Sequence, residues 1–168
     1  MKWPPRSSAM RDDVRTAASP EIIGFLTDYV DAYASGDLDA LRPFYSDQTV
    51  IWPNQRPDAR GWQGVRTMFS PSFAQHSIAA RVHLLEERGT GDERFLRFLT
   101  EVRLAPKGGG APLDAFFRDF ALILRSDGRW TILRNIDQPI TPEQLASDLV
   151  REPPLAVIGE TSQHGDHR

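Results

Sequence analysis

Cysteine is absent from all 168 residues. That removes disulfides, thiolate nucleophiles and cysteine-ligated metals in one step. Lysine occurs only at Lys2 and Lys107, both in proline- or glycine-rich segments, so a Schiff-base lysine is not expected. No apolar run is long enough to cross a bilayer. The opening stretch MKWPPRSSAMRDDVR lacks the apolar core of a secretory signal. These absences point to a cytoplasmic protein with no membrane partner. The formal charge of −3 lacks the basic footprint of a nucleic-acid binder.

The chain is 40% hydrophobic and 26% charged, the composition of one ordinary globular domain with length left for tails. Residues 1–18 are polar, carry Pro4-Pro5 and read as a disordered arm. Ser19-Pro20-Glu21 is a helix start, with Ser19 as N-cap and Pro20 at the first helical position. Ile22, Phe25, Leu26, Tyr29, Val30 and Tyr33 then form one buried helical stripe. Gly36 closes that helix in the left-handed conformation. Asp37 follows at once as N-cap of a short second helix, which Pro43 limits.

Thr49 to Trp52 reads as a strand stopped by Pro53, and a third helix runs from Trp62 to about Ser70. The period then changes to two. Strands are expected over 77–87, 93–105, 113–125 and 129–137, joined by turn-forming segments such as Gly89-Thr90-Gly91 and Ser126-Asp127-Gly128. Short connections between long strands imply an antiparallel meander. Thr141 and Gln144 fit a capping box for one more helix to about Val150, and Pro153-Pro154 ends it. The order of elements gives an α+β domain, helices on one face of a curved sheet.

Three segments together, YVDAYASGDLDALRPFYSDQTV (29–50), GWQGVRTMF (61–69) and DGRWTILRNID (127–137), resemble the nuclear transport factor 2-like superfamily, in its SnoaL-like and ketosteroid-isomerase-like branch. The resemblance spans residues 19–139 and leaves 140–168 as a short helix and flexible tail. It implies a cone-shaped cystatin-like fold: three N-terminal helices packed on a curved, mostly antiparallel sheet enclosing an apolar pocket. It also implies a homodimer formed through the outer sheet face, where Arg97, Glu101 and Arg103 make a polar strand face.

The resemblance places Tyr29 where ketosteroid isomerases carry their oxyanion-binding tyrosine. It places Trp52 where those enzymes carry a carboxylate base, and an indole cannot accept a proton. The acid partner falls at Phe120 or Asp119. The Arg-x-Asp pair of limonene-epoxide-hydrolase-like members falls on Val102 and Leu104, and their last Asp on Asn135, so the hydrolytic set is missing.

Alternation in LDAFFRDFALILR puts Phe117, Asp119 and Ala121 on one face. An acid among phenylalanines has its pKa raised by desolvation, which makes Asp119 a candidate proton donor or base. The bland alternative is an ion pair with Arg97 or Arg103. Tyr29 is a candidate donor with core packing as its rival, and Tyr33 stands one turn on. His76 is a candidate general acid or base; His83 has the opposite parity. Trp52, Trp62, Met68, Phe73 and Phe117 are candidate walls, and Asn135 and Asp137 candidate ligand-orienting groups. His164 and His167 read as a solvated tail pair, and no metal or other cofactor is expected.

The expected function is therefore a cofactor-independent enzyme of secondary metabolism: a cyclase, isomerase or dehydratase acting on a hydrophobic, polyketide- or terpenoid-like small molecule. A SnoaL-like oxygenase is a further possibility. The alternative from another class is a non-catalytic ligand-binding or dimeric scaffold module, favoured by the missing base.

Overall fold

The computed structural model describes residues 17–159; the N-terminal arm to residue 16 and the His164–His167 pair lie outside them. The helices are α1 (Pro20–Ser35), α2 (Leu38–Leu41), α3 (Gly61–Gln75) and α4 (Pro142–Arg151). The strands are β1 (Tyr45–Pro53), β2 (Ala59–Arg60), β3 (His76–Arg88), β4 (Glu93–Pro106), β5 (Leu113–Ser126), β6 (Arg129–Ile140) and β7 (Ala156–Gly159). One seven-stranded sheet has the order β2-β1-β6-β5-β4-β3-β7. The meander β3 to β6 is antiparallel throughout, while β1 joins β6 in parallel.

The break between α1 and α2 follows the local chemistry. Gly36 has φ +67 and returns its N–H to the Tyr33 carbonyl, a conformation that costs a glycine little. Asp37 then accepts from the Asp39 amide at 2.8 Å. The chain turns there, so α1 packs its Ile22, Phe25, Leu26 and Val30 stripe against the sheet interior.

Four expectations need correction. Ser19 sits at the N-cap, but its side chain makes no capping bond. Its amide and its hydroxyl both donate to the Glu87 carboxylate at 2.8 Å, because a buried carboxylate is costlier to leave bare than a helix end. Helix α3 runs five residues past Ser70 and contains Pro71. Proline removes one helical hydrogen bond, yet Phe69 and Phe73 stack 5.7 Å apart and both meet Tyr33 edge-on, which holds the last turn in place. The first strand starts at Tyr45, four residues before Thr49.

The fourth correction concerns the C-terminal segment. After α4 the Leu155 amide bonds the Leu84 carbonyl at 2.7 Å, and β7 pairs with β3 from Ala156↔Leu84 to Gly159↔Arg81. An otherwise open strand edge is thereby covered. Helix α4 carries the expected capping box and lies on the outer sheet face. Its Leu145 and Leu149 pack with Leu85, Leu99 and Phe116, and Asp148 accepts from Arg118 at 2.6 Å. Burying that short apolar side requires an outer-face patch that strand alternation alone does not advertise.

Candidate functional site

Between α1, α3 and the inner sheet face lies a cavity of about 330 Å³, within the size range of small-molecule sites. Leu26, Val30, Ile51, Val82, Leu96 and Phe98 contribute to its apolar lining. Strand alternation decides which side chains enter. In β5 Phe117, Asp119 and Ala121 point in, and in β6 Asn135 and Asp137 do. The ladder sets Asp119 opposite Asp137 and Ala121 opposite Asn135.

Asp119 is 7% exposed. Its Oδ2 accepts from the Thr100 hydroxyl at 2.7 Å, and it also bonds the Asn135 side chain. Neither suspected arginine reaches it. Arg97 pairs with Glu86 and Glu152, and Arg103 with Asp114, all away from the cavity on the opposite strand parity. Burial, the dominant cause, therefore pushes the Asp119 carboxyl up to about 7; the Asp137 charge adds to this, while the Thr100 and Asn135 bonds oppose it. Near neutral pH the residue can hold or release a proton. Burial likewise raises Asp137, which lies nearer solvent, against the Arg56 charge that favours its ionised form.

Opposite the acids stands a pair of phenols. The Tyr29 and Tyr45 hydroxyls are 2.7 Å apart, and both residues line the cavity. One donates to the other, so one phenolic proton remains for a further acceptor. Burial raises both pKa values well above the usual phenol value, and pushes Tyr33 up to about 12. These groups therefore act as neutral donors.

Tyr29, Tyr33, Met68, Phe117, Asp119, Asn135 and Asp137 all line one cavity. His76 does not. Its Nδ1 lies 3.2 Å from the Ser72 carbonyl, where it closes the end of α3 instead of reaching the acids. His83 lies on the outer parity, 2.5 Å from Glu101. Trp52 is 37% exposed, because its neighbours Ile51 and Pro53 take the inward positions. Trp62 stands behind Tyr45, stacked at 6.3 Å, and Phe73 belongs to the core. Thr100, Tyr45 and Arg56 also line the cavity, beyond the residues the sequence points to. For Thr100 a signal exists: it is a lone hydroxyl alternating with Phe98 and Val102 on the inward parity. Tyr45 and Arg56 sit at a strand start and in a loop, where no period operates.

This geometry can be set beside known proteins. The model of the SnoaL-like domain matches residues 26–132. The chain belongs to the SnoaL-like family. Among solved structures, this SnoaL-like chain is similar to a ketosteroid isomerase-like protein from Erwinia carotovora atroseptica, with 23% identity and a TM-score of 0.61, covering 73% of this chain and 94% of that one. It is also similar to a protein provisionally named a scytalone dehydratase from Novosphingobium aromaticivorans, with 10% identity and a TM-score of 0.65, covering 71% and 82%. A third is an NTF2-like protein of unknown function from Pseudomonas putida, at 17% identity, TM-score 0.61, covering 78% and 93%. Likeness at such identities establishes the fold. No curated protein matches the chain in sequence.

Proposed function

We propose that this SnoaL-like protein is a cofactor-independent enzyme of secondary metabolism that moves protons on a hydrophobic small molecule held in the cavity. The reaction type is isomerisation, cyclisation or dehydration of a polyketide- or terpenoid-like substrate. The observation that carries this reading is Asp119: a buried carboxyl with hydroxyl and amide partners, no arginine, and phenols across the cavity. Among the described residues the other buried carboxylate, Glu87, lies beside an arginine, so a buried one without such a partner points to chemistry.

In this reading Asp137 accepts a proton from carbon, since it is the more accessible acid. The free phenolic proton of the Tyr29–Tyr45 pair steadies the oxygen on which charge develops. Asp119 delivers a proton at the far end. One proton leaves and one arrives, so the redox state of the substrate is unchanged. Asp137 would thereby supply from β6 the base that Trp52 cannot supply from β1.

Deuterium uptake from D2O at the α-carbon of 2-tetralone, followed by NMR, tests the reading. The expected result is acceleration over buffer, lost by about 10²–10⁴-fold in Asp119→Asn or Asp137→Asn and by about tenfold or more in Tyr29→Phe. Binding of apolar cyclic ketones with no acceleration for any of them would favour a ligand-binding scaffold instead.

The homodimer belongs to the same proposal. Trp52, Ile136 and Phe120 form a row across three neighbouring strands of the outer face, and all three are exposed. A second copy seated there would cover this row beside α4. Light scattering of Ile136→Lys should then report a monomer; an unchanged mass, or a wild-type monomer, would refute it.

A further inference from the structure

Among the described residues, three charged ones line the cavity: Asp119, Asp137 and Arg56. Arg56 belongs to the loop between β1 and β2, and its side chain is exposed. It makes no hydrogen bond or ion pair within 4 Å with another described residue, whereas most arginines of the sheet are engaged by acids. The loop constrains its backbone. Pro57 follows it directly, and the residue before a proline is biased to extended backbone. Gln55, just before it, has φ +58, an uncommon state for a residue with a side chain and one that clusters at ligand-contacting segments. The neighbouring residues on the cavity, Pro53 at the end of β1 and Asn54 in the loop, carry no charge.

We infer that Arg56 selects substrates bearing an anionic oxygen-acid group, a carboxylate for example, whose apolar body enters the cavity while the anion stays at the rim. The guanidinium is always charged and presents a planar fork of donors that matches two oxygens at once. The interior beyond it is apolar down to the Asp119 and phenol groups, so a neutral body fits there and an ion does not. A molecule held by its anion at Arg56 would also meet Asp137, whose charge Arg56 already feels. This places the proton acceptor beside the anchored end. The inference rests on the reading of the cavity as the substrate site.

Two fluorescent probes with one skeleton separate the two ideas. N-phenyl-1-naphthylamine is neutral, and 8-anilinonaphthalene-1-sulfonate adds one anionic group; both brighten on apolar burial. Titration of the full chain should show both binding, with added salt weakening only the sulfonate. In Arg56→Gln the sulfonate should lose about three- to tenfold in affinity, a typical effect for an exposed charge, while the neutral probe changes less than twofold. Arg56→Lys should recover part of the loss.

Equal change, or no change, for both probes in Arg56→Gln overturns the role of Arg56. The cavity reading survives that result if Ala121→Phe, which fills the interior, releases both probes; Ala80→Phe replaces it should the first variant fail to fold. If filling the cavity leaves both probes bound, or neither binds to the wild type, the cavity reading falls and the inference with it. The tetralone exchange assay reports on the acids independently of either probe.

Discussion

Two carboxylates are buried under the same inner sheet face, and the fold treats them in opposite ways. Glu87 is fully buried at the end of β3. Its Oε1 lies 3.4 Å from Arg94 Nε, and Ser19 gives it two further bonds. Arg94 in turn reaches Glu21 at 3.0 Å, lies over Trp130, and donates to two backbone carbonyls. Asp119, buried nearly as deeply, has only a hydroxyl and an amide. A buried charge needs a counter-charge close by, or it gives up the charge by holding a proton. The first arrangement ties the start of α1 to the β3–β4 hairpin. The second lies in the wall of a cavity, where burial favours the protonated form. Under the proposed function, the difference separates architecture from chemistry in one molecule.

The comparison breaks most sharply at Arg94. Arg94→Met removes the buried Arg94–Glu87 pair and the Arg94–Glu21 pair, and urea unfolding at pH 7 should show a loss of about 3–5 kcal/mol. An effect under about 1 kcal/mol would mean that the Glu87 cluster is not a structural clasp.

Asp119 should behave in the reverse sense. Its folded-state pKa of about 7 lies above the ordinary 3.8. Below pH 3.8 folded and unfolded chains both hold the proton. Between there and about 7 the unfolded chain ionises first, so the contribution of Asp119 to stability falls as pH rises. Asp119→Asn removes this titration and should gain on the wild type between pH 4 and pH 8, by up to a few kcal/mol. Parallel pH profiles for the two proteins would contradict the raised pKa.

A smaller effect is expected at Thr100. Its hydroxyl favours the ionised form of Asp119, so the bend in the exchange rate, expected near pH 7 for the wild type, should move to higher pH in Thr100→Val. A bend displaced to lower pH would assign the hydroxyl a different role. Smallest of all is Arg103→Ala. The Arg103–Asp114 pair is exposed at 3.2 Å, and its removal should cost no more than about 1 kcal/mol. A cost near that of Arg94→Met would erase the distinction between buried and exposed pairs.

The elements that were legible in the sequence rest on local rules. The α1 stripe, the Gly36-Asp37 break and the Thr141 capping box depend on residues within a few positions of one another. The alternation that aims Asp119 inward depends only on the strand period. Ser19 shows where local rules stop, because its hydroxyl is claimed by Glu87, 68 residues away. His76 shows the same limit. Its parity on β3 is that of the cavity-lining Ala80 and Val82, but it sits at the strand's end, where α3 supplies a nearer partner.

The sequence by itself determined the helix stripe, the break that follows it, the meander and the inward parity of Asp119. Periodicity and capping act over short distances and survive without knowledge of the rest. Only the tertiary structure decided that Arg97 and Arg103 turn away from Asp119, that Tyr45 meets Tyr29, and that Arg56 lies at the rim. It also decided that residues 156–159 close the sheet edge. Each of these depends on which distant segments share a desolvated space, and the pKa of a buried acid is set by that company rather than by its neighbours in the chain.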